Sequence, residues 1–277
     1  MDTLAVGAAL LSALIHASWN ALLKSGEDRV VDSALVALGW FLLGGAGIAL
    51  GGPLPARAVP YVIATALIHC VYWTALTKAY DAGDLSHVYT LSRGLVPLLV
   101  AVAALIVVRE MPQPGHVVGI ALVSIGVCAV GASRHAPLPA TLWASGIACT
   151  IAAYSLVDAL GARSAGSAFV YSSWMLFASS LPLACLALGR RGGRTLLRTA
   201  RSAWRRGILA GVVSGVGYGI VLFAQTRAPV AQVTALRETS VAFAAVIAWA
   251  LLGEKLDARR WFGALTVACG ALVIALR

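Results

Sequence analysis

Charge is what this sequence has least of. Acidic and basic residues together make up 12% of 277 residues, whereas about 25% is usual for a soluble domain. Hydrophobic residues make up 60%, and the mean hydropathy is +0.87. A water-soluble globular chain is excluded, and a polytopic membrane protein remains. Acids are the scarcest class, 11 against 21 lysines and arginines. In a soluble protein the net charge of +10 would suggest nucleic acid, but seven cations fall within 190–206 with no acid between them. Beside apolar spans such a run is a cytoplasmic loop, and no nucleic-acid partner is expected. The five cysteines, at 70, 128, 149, 185 and 269, are scattered singly through apolar stretches. None has metal-ligand spacing or belongs to a disulfide framework, so neither a metal nor a cofactor is expected. Nucleophile-elbow, HExxH and phosphate-loop motifs are also missing, which argues against an enzyme. Met1-Asp2-Thr3 lacks the basic region of a signal peptide, and the first apolar run reads as an uncleaved helix.

Long apolar runs are what the chain does have. Ten helices are expected, at 3–23, 32–50, 58–79, 85–108, 114–132, 139–160, 167–189, 204–226, 230–252 and 258–276. Loops after the odd-numbered spans hold 14 of the 21 cations, which puts that side in the cytoplasm and both termini outside it. A shift of 144 positions carries Arg93 onto Arg237, Thr90 onto Thr234, Glu110 onto Glu254, Gly119 onto Gly263 and Gly126 onto Gly270 without a gap. A shift of 138 lays His16, Asn20, Ala21 and Leu22 on Tyr154, Asp158, Ala159 and Leu160. The sequence therefore predicts an all-α integral membrane protein of ten transmembrane helices in two five-helix repeats, 1–134 and 135–277, the offset growing from 138 to 144 because the second carries the longer arginine loop, 190–206. Five spans per repeat is odd, so the halves are inverted, the plan of many secondary transporters with substrate bound near the midplane. Arg93 and Arg237 then enter from opposite faces, each ~12 Å deep, and their side chains can meet at the centre.

The residues resemble a known family. The ten-helix, five-plus-five plan, Gly253-Glu254 closing span 9 ahead of a glycine-rich last helix, and the degenerate Arg109-Glu110 closing span 4 are similar to the EamA-like branch of the drug/metabolite transporter superfamily. Narrower tokens are His16-Ala17-Ser18-Trp19-Asn20, Ser92-Arg93-Gly94 with Pro97, and Leu236-Arg237-Glu238-Thr239-Ser240. Val241 stands where the second repeat would carry the counterpart of Pro97, which leaves open whether both halves bend alike. The resemblance implies an export or exchange carrier for small metabolites in the plasma (inner) membrane, with a cavity lined by spans 1, 3, 4, 6, 8 and 9. It does not fix the substrate.

A charge inside a span costs at least ~2.5–3.5 kcal/mol, so it faces protein or a watery cavity. Arg93 and Arg237 either hold helices together or form a fork for a carboxylate, phosphonate or phosphate. Glu238 and Asp158, the acids within the spans, either pair with an arginine (Arg237 with Asp158 for example) or handle a proton or a substrate ammonium. His16 and Asn20 share a helix face, as do Tyr154 and Asp158, which favours cavity lining. Trp73, Tyr89, Trp174 and Tyr218 offer stacking or cation–π surfaces against a plain packing role. His69 and His87 read as structural. Gly207, Gly211, Gly215 and Gly219 recur every four residues, the spacing of close helix packing. The expected function is secondary transport of a small anionic or zwitterionic metabolite, alone or together with a proton. A multidrug or cationic-compound exporter and a non-transporting scaffold are the alternatives, and monomer and homodimer stay open.

Overall fold

The computed structural model describes residues 2–24, 28–82, 85–131, 137–252 and 256–276. Among the described residues every regular element is helical. Nine helices there are long and apolar enough to cross a bilayer, and the shorter helix Pro114–Val130 makes a tenth apolar rod. The chain is a multi-pass membrane protein.

The helices start and stop where local chemistry dictates. α1 (Thr3–Lys24) is followed by α2 (Arg29–Gly51), whose first amides, Val30 and Val31, donate to the Asp28 side chain. Gly52, at φ 78°, ends α2 in a backbone conformation that suits glycine. A short 3₁₀ turn, Ala56–Ala58, leads into α3 (Val59–Ala82), and α4 (Leu85–Val107) runs on through Pro97. Arg109 follows α4 at φ 60°, the one non-glycine in the left-handed region among the described residues. Its turn lets the Glu110 amide donate back to the Ala104 carbonyl at 3.2 Å. α5 (Pro114–Gly131), α6 (Leu138–Ala165) and α7 (Ala168–Arg191) come next, α7 capped by the Ser167 hydroxyl. α8 (Gly193–Arg227), α9 (Val230–Arg237), α10 (Ser240–Leu252) and α11 (Ala258–Ala275) complete the chain.

Two expectations are corrected. The stretch 190–206 is not a loop: α7 reaches Arg191, Gly192 turns the chain at φ 68°, and α8 begins at once and runs for 35 residues. Arg194, Arg198, Arg201 and Arg205 are spaced four, three and four apart, so they form one exposed stripe on the helical spur. The ninth span is not one helix either. At Glu238 and Thr239 the amides donate three residues back, to Ala235 and Leu236, and the Thr239 hydroxyl takes a further bond to the Leu236 carbonyl at 2.7 Å. A side-chain hydroxyl competing for a backbone carbonyl loosens a helix at that point. The first half therefore keeps α4 whole while its counterpart is split into α9 and α10. Gly253-Glu254, the closing pair of that span, lies outside the described residues.

The packing partners come in matched pairs. α3 lies on α6 and α1 on α8; α4 lies on α6, and α9 and α10 lie on α1; α2 meets α7 and α5 meets α11. The α5–α11 seam is close. A Cβ on Gly119 would sit 2.9 Å from the Gly270 carbonyl oxygen, and one on Gly126 would sit 2.8 Å from that of Gly263. Glycine there lets two antiparallel backbones touch, which is how helices associate where burial from water gives no drive.

Candidate functional site

The elements converge on a central cavity of about 470 Å³ that reaches from mid-bundle to the end formed by Leu23 of α1 and Asp32 of α2. The six spans expected to line it all do, and α2 and α7 add Trp40 and Leu176. His16, Asn20, Trp73, Tyr89, Arg93, Tyr154, Tyr218 and Arg237 are all brought to its wall. Trp174 is not. Its indole donates to the Gly52 carbonyl at 3.2 Å, tying α7 to the end of α2.

Arg93 and Glu238 meet across the two halves, Nη2 to Oε1 at 2.9 Å, with the Glu238 side chain fully buried. The contact is an ion pair by distance but leaves both carboxylate oxygens and the Arg93 Nε without an aligned hydrogen bond. Burial of a pair so thinly bonded is poor stabilisation, since desolvation offsets most of the attraction.

Arg237 is placed differently. It is the last residue of α9, beside the break, and its side chain lines the cavity. Its Nη2 approaches the His16 Nδ1 at 3.5 Å, and its guanidinium carbon lies 5.3 Å from the Tyr218 ring centre. The Trp19 indole also donates to that Nδ1, at 3.3 Å, so the imidazole accepts on this nitrogen. Among the described residues no carboxylate is within ion-pair distance of Arg237, and its buried Nε has no hydrogen-bond partner.

Asp158 does not pair with Arg237, contrary to one of the two readings. It is buried, and two tyrosines hold it: Tyr171 donates to one oxygen at 2.8 Å and Tyr218 to the other at 2.6 Å. Its offset relative, Asn20, spends its amide on the His16 carbonyl at 2.7 Å. Tyr218 is thus shared: its hydroxyl serves Asp158 and its face carries Arg237. His69, read as structural, in fact lines the cavity, stacked on Tyr154 at 4.7 Å and bonded at Nδ1 to the Thr65 carbonyl at 2.8 Å. With Trp40, Tyr72 and Tyr154 it builds an aromatic wall. His69, Trp40 and Tyr72 lack charged partners at the 138 or 144 shift, so nothing in the sequence singled them out.

The far end of the bundle is shut. Arg163, at the end of α6, bonds Glu110 Oε1 at 2.7 Å, the Gln225 carbonyl at 2.9 Å and the Ala228 carbonyl at 3.0 Å. The second oxygen of Glu110 accepts the Val230 amide at 2.9 Å. One ion pair thereby clasps the loop after α4 to α6, α8 and the start of α9.

The central cavity thus reaches one end of the bundle, this clasp holds the other, and the end of α9 presents a cation to it. The model of the EamA-like transporter family matches residues 138–276, half of the chain. The chain belongs to the EamA-like transporter family. Within this EamA-like chain the matched residues include α6–α11, and so Asp158, Tyr218, Arg237 and Glu238. No curated protein matches it. A solved structure described only as "Crystal structure of protein" superposes with a TM-score of 0.81 over 100% of this chain and 98% of that one, at 19% identity. That likeness is one of fold.

Proposed function

We propose that this chain is a secondary carrier for a small anionic or zwitterionic metabolite, amino-acid-like or phosphonate-like, working by alternating access between two inverted five-helix repeats. The observation that carries the proposal is Arg237: a guanidinium facing the central cavity, with no carboxylate in contact among the described residues and an aromatic wall around it. Burying such a group without a counterion is costly, so an acidic ligand is its natural complement. The duplication draws support from the packing. The 144 shift that carries Gly119 to Gly263 and Gly126 to Gly270 exchanges the two glycine contacts, as a two-fold axis in the membrane plane would.

Charge balance suggests the coupling. At mid-bundle Arg93, Arg237, Glu238 and Asp158 sum to zero. A proton taken by either acid leaves one guanidinium uncompensated, and an anion entering the cavity restores neutrality. A zwitterion brings its own cation and needs no proton. By the count of lysines and arginines the open end is cytoplasmic, both termini lie outside, and the Arg163–Glu110 clasp seals the outer face of a carrier in the inner membrane. Rocking one repeat against the other would undo the clasp and close the mouth at Leu23 and Asp32.

The test is ligand-induced thermal stabilisation of detergent-purified protein against amino acids, organic acids, phosphonates and quaternary amines. Acidic or zwitterionic compounds should stabilise it, and Arg237→Ala should weaken them about 10- to 100-fold, the worth of a hydrogen-bonded charge. Stabilisation by apolar cations alone would refute the reading and favour multidrug export.

A further inference from the structure

A second cavity lies on the outside of the bundle. It measures about 960 Å³, roughly twice the central one, and is framed by α2, α7, α8 and the end of α6. Its lining is apolar along most of its length, from the exposed rim residues Leu50, Phe169 and Val216 inward to Leu43 and the buried Leu176. Arg227, Thr226 and Ser167 make one end polar, and Ser172 and Ser173 stand along the α7 side with their hydroxyls donating to the Phe169 carbonyl. From Arg227 to Gly215 the groove follows α8 for 12 residues, ~18 Å at 1.5 Å each, a little more than one leaflet of a ~30 Å core. Leu176 lines both cavities and is therefore the wall between them.

We propose that this groove binds one acyl chain of an anionic phospholipid, whose phosphate sits against Arg227. The two serines along the slot already donate to a backbone carbonyl, so water is a poor occupant, and a void there would forfeit dispersion contacts on every side. The groove ends at the level where a headgroup begins, with a cation fixed over it. The Arg227 guanidinium carbon lies 5.1 Å above the ring of Phe223, a lining residue of the slot. Its pairing with Asp2 at 3.1 Å joins two groups exposed by 46% and 41%. An ion pair that exposed holds weakly and yields to a phosphate, which guanidinium binds through two parallel bonds. Ser167 caps α7 at the same end, adding the positive end of a helix dipole. Arg163 reaches this rim as well but is committed to its clasp. The proposal is independent of what the central cavity carries.

Native mass spectrometry of the full chain tests it, with delipidated protein titrated against phosphatidylglycerol or phosphatidylcholine. One phosphatidylglycerol should bind per chain ahead of phosphatidylcholine, and Arg227→Gln should reduce that preference roughly fivefold, the effect of one interfacial cation. Ala46→Trp and, from the opposite rim, Val216→Trp should each remove the bound lipid at unchanged unfolding temperature; both start from exposed residues that line the slot. Equal binding of both lipids, an Arg227→Gln preference like wild type, or lipid retained in whichever tryptophan variant folds would overturn the proposal. So would a chain dimer that the tryptophans dissociate, since a second copy would then be the occupant.

Discussion

Replacing the two members of the buried Arg93–Glu238 pair, singly and together, separates a structural lock from a working charge. At 2.9 Å and an effective dielectric of about 20, the attraction is about 6 kcal/mol. Desolvation of each ion takes back several kcal/mol, and no aligned hydrogen bonds repay it. Arg93→Met leaves Glu238 fully buried and uncompensated, and Glu238→Leu does the same to Arg93, so each should cost about 3–5 kcal/mol. The double variant Arg93→Met, Glu238→Leu removes both penalties and should return to within about 1 kcal/mol of wild type. Thermal unfolding in detergent gives the cycle, and substrate-driven uptake into proteoliposomes gives the second readout. Recovery of the fold with loss of transport would make the pair part of the carrier's chemistry. Recovery of both would leave it a lock. If the double variant lost the sum of the single losses, the charge argument would be wrong and the two side chains would matter only for shape.

Three further outcomes are expected. If an anion and a proton enter together, an acidic ligand should bind more tightly as pH falls, and Asp158→Asn should flatten that dependence; titration calorimetry in two buffers would measure the proton, and equal slopes would exclude Asp158. Arg163→Ala strands the Glu110 carboxylate and two carbonyls, so it should lose about 1–3 kcal/mol and admit aqueous thiol reagents to a cysteine placed at Tyr154 from the clasped side. Labelling at the wild-type rate would show that the clasp is no gate. Arg109→Gly should raise stability by about 1 kcal/mol, because only glycine occupies a φ of 60° without steric penalty; an unfolding midpoint lowered by the change would mean that the Arg109 side chain itself holds the loop.

How much of this was legible in the sequence varied with the physics involved. Apolar runs fix spans by length, so the helices fall near their expected places. Intramembrane charge marks a site because it is expensive, which is why Arg93, Arg237, Glu238 and Asp158 stood out and eight of the nine residues expected to line the cavity do so. Pairing was harder. Arg237 and Asp158 offered a plausible ion pair, but two tyrosine hydroxyls satisfy Asp158 instead, and hydroxyl donors carry no pattern along a chain. The break after Arg237 is not visible in the sequence because it is a local switch of the Glu238 and Thr239 amides to carbonyls three residues back, which apolar periodicity does not register. The arginine stripe reads as a loop in the sequence because charge sets the side of the membrane, not the backbone conformation.

The glycine seam has a mechanical consequence. α5 comes from one half and α11 from the other, yet their backbones touch at two points. Neither helix can slide along its neighbour without driving carbonyl into Cα. In the rocking proposed above, this seam and the like Gly39–Gly211 contact between α2 and α8 would serve as axles, and the freedom left to the halves would be angle. A turn about an axle running through the thickness of a bundle widens one mouth by the motion that narrows the other. A carrier hinged there needs no signal passed between its two gates to avoid standing open as a leak.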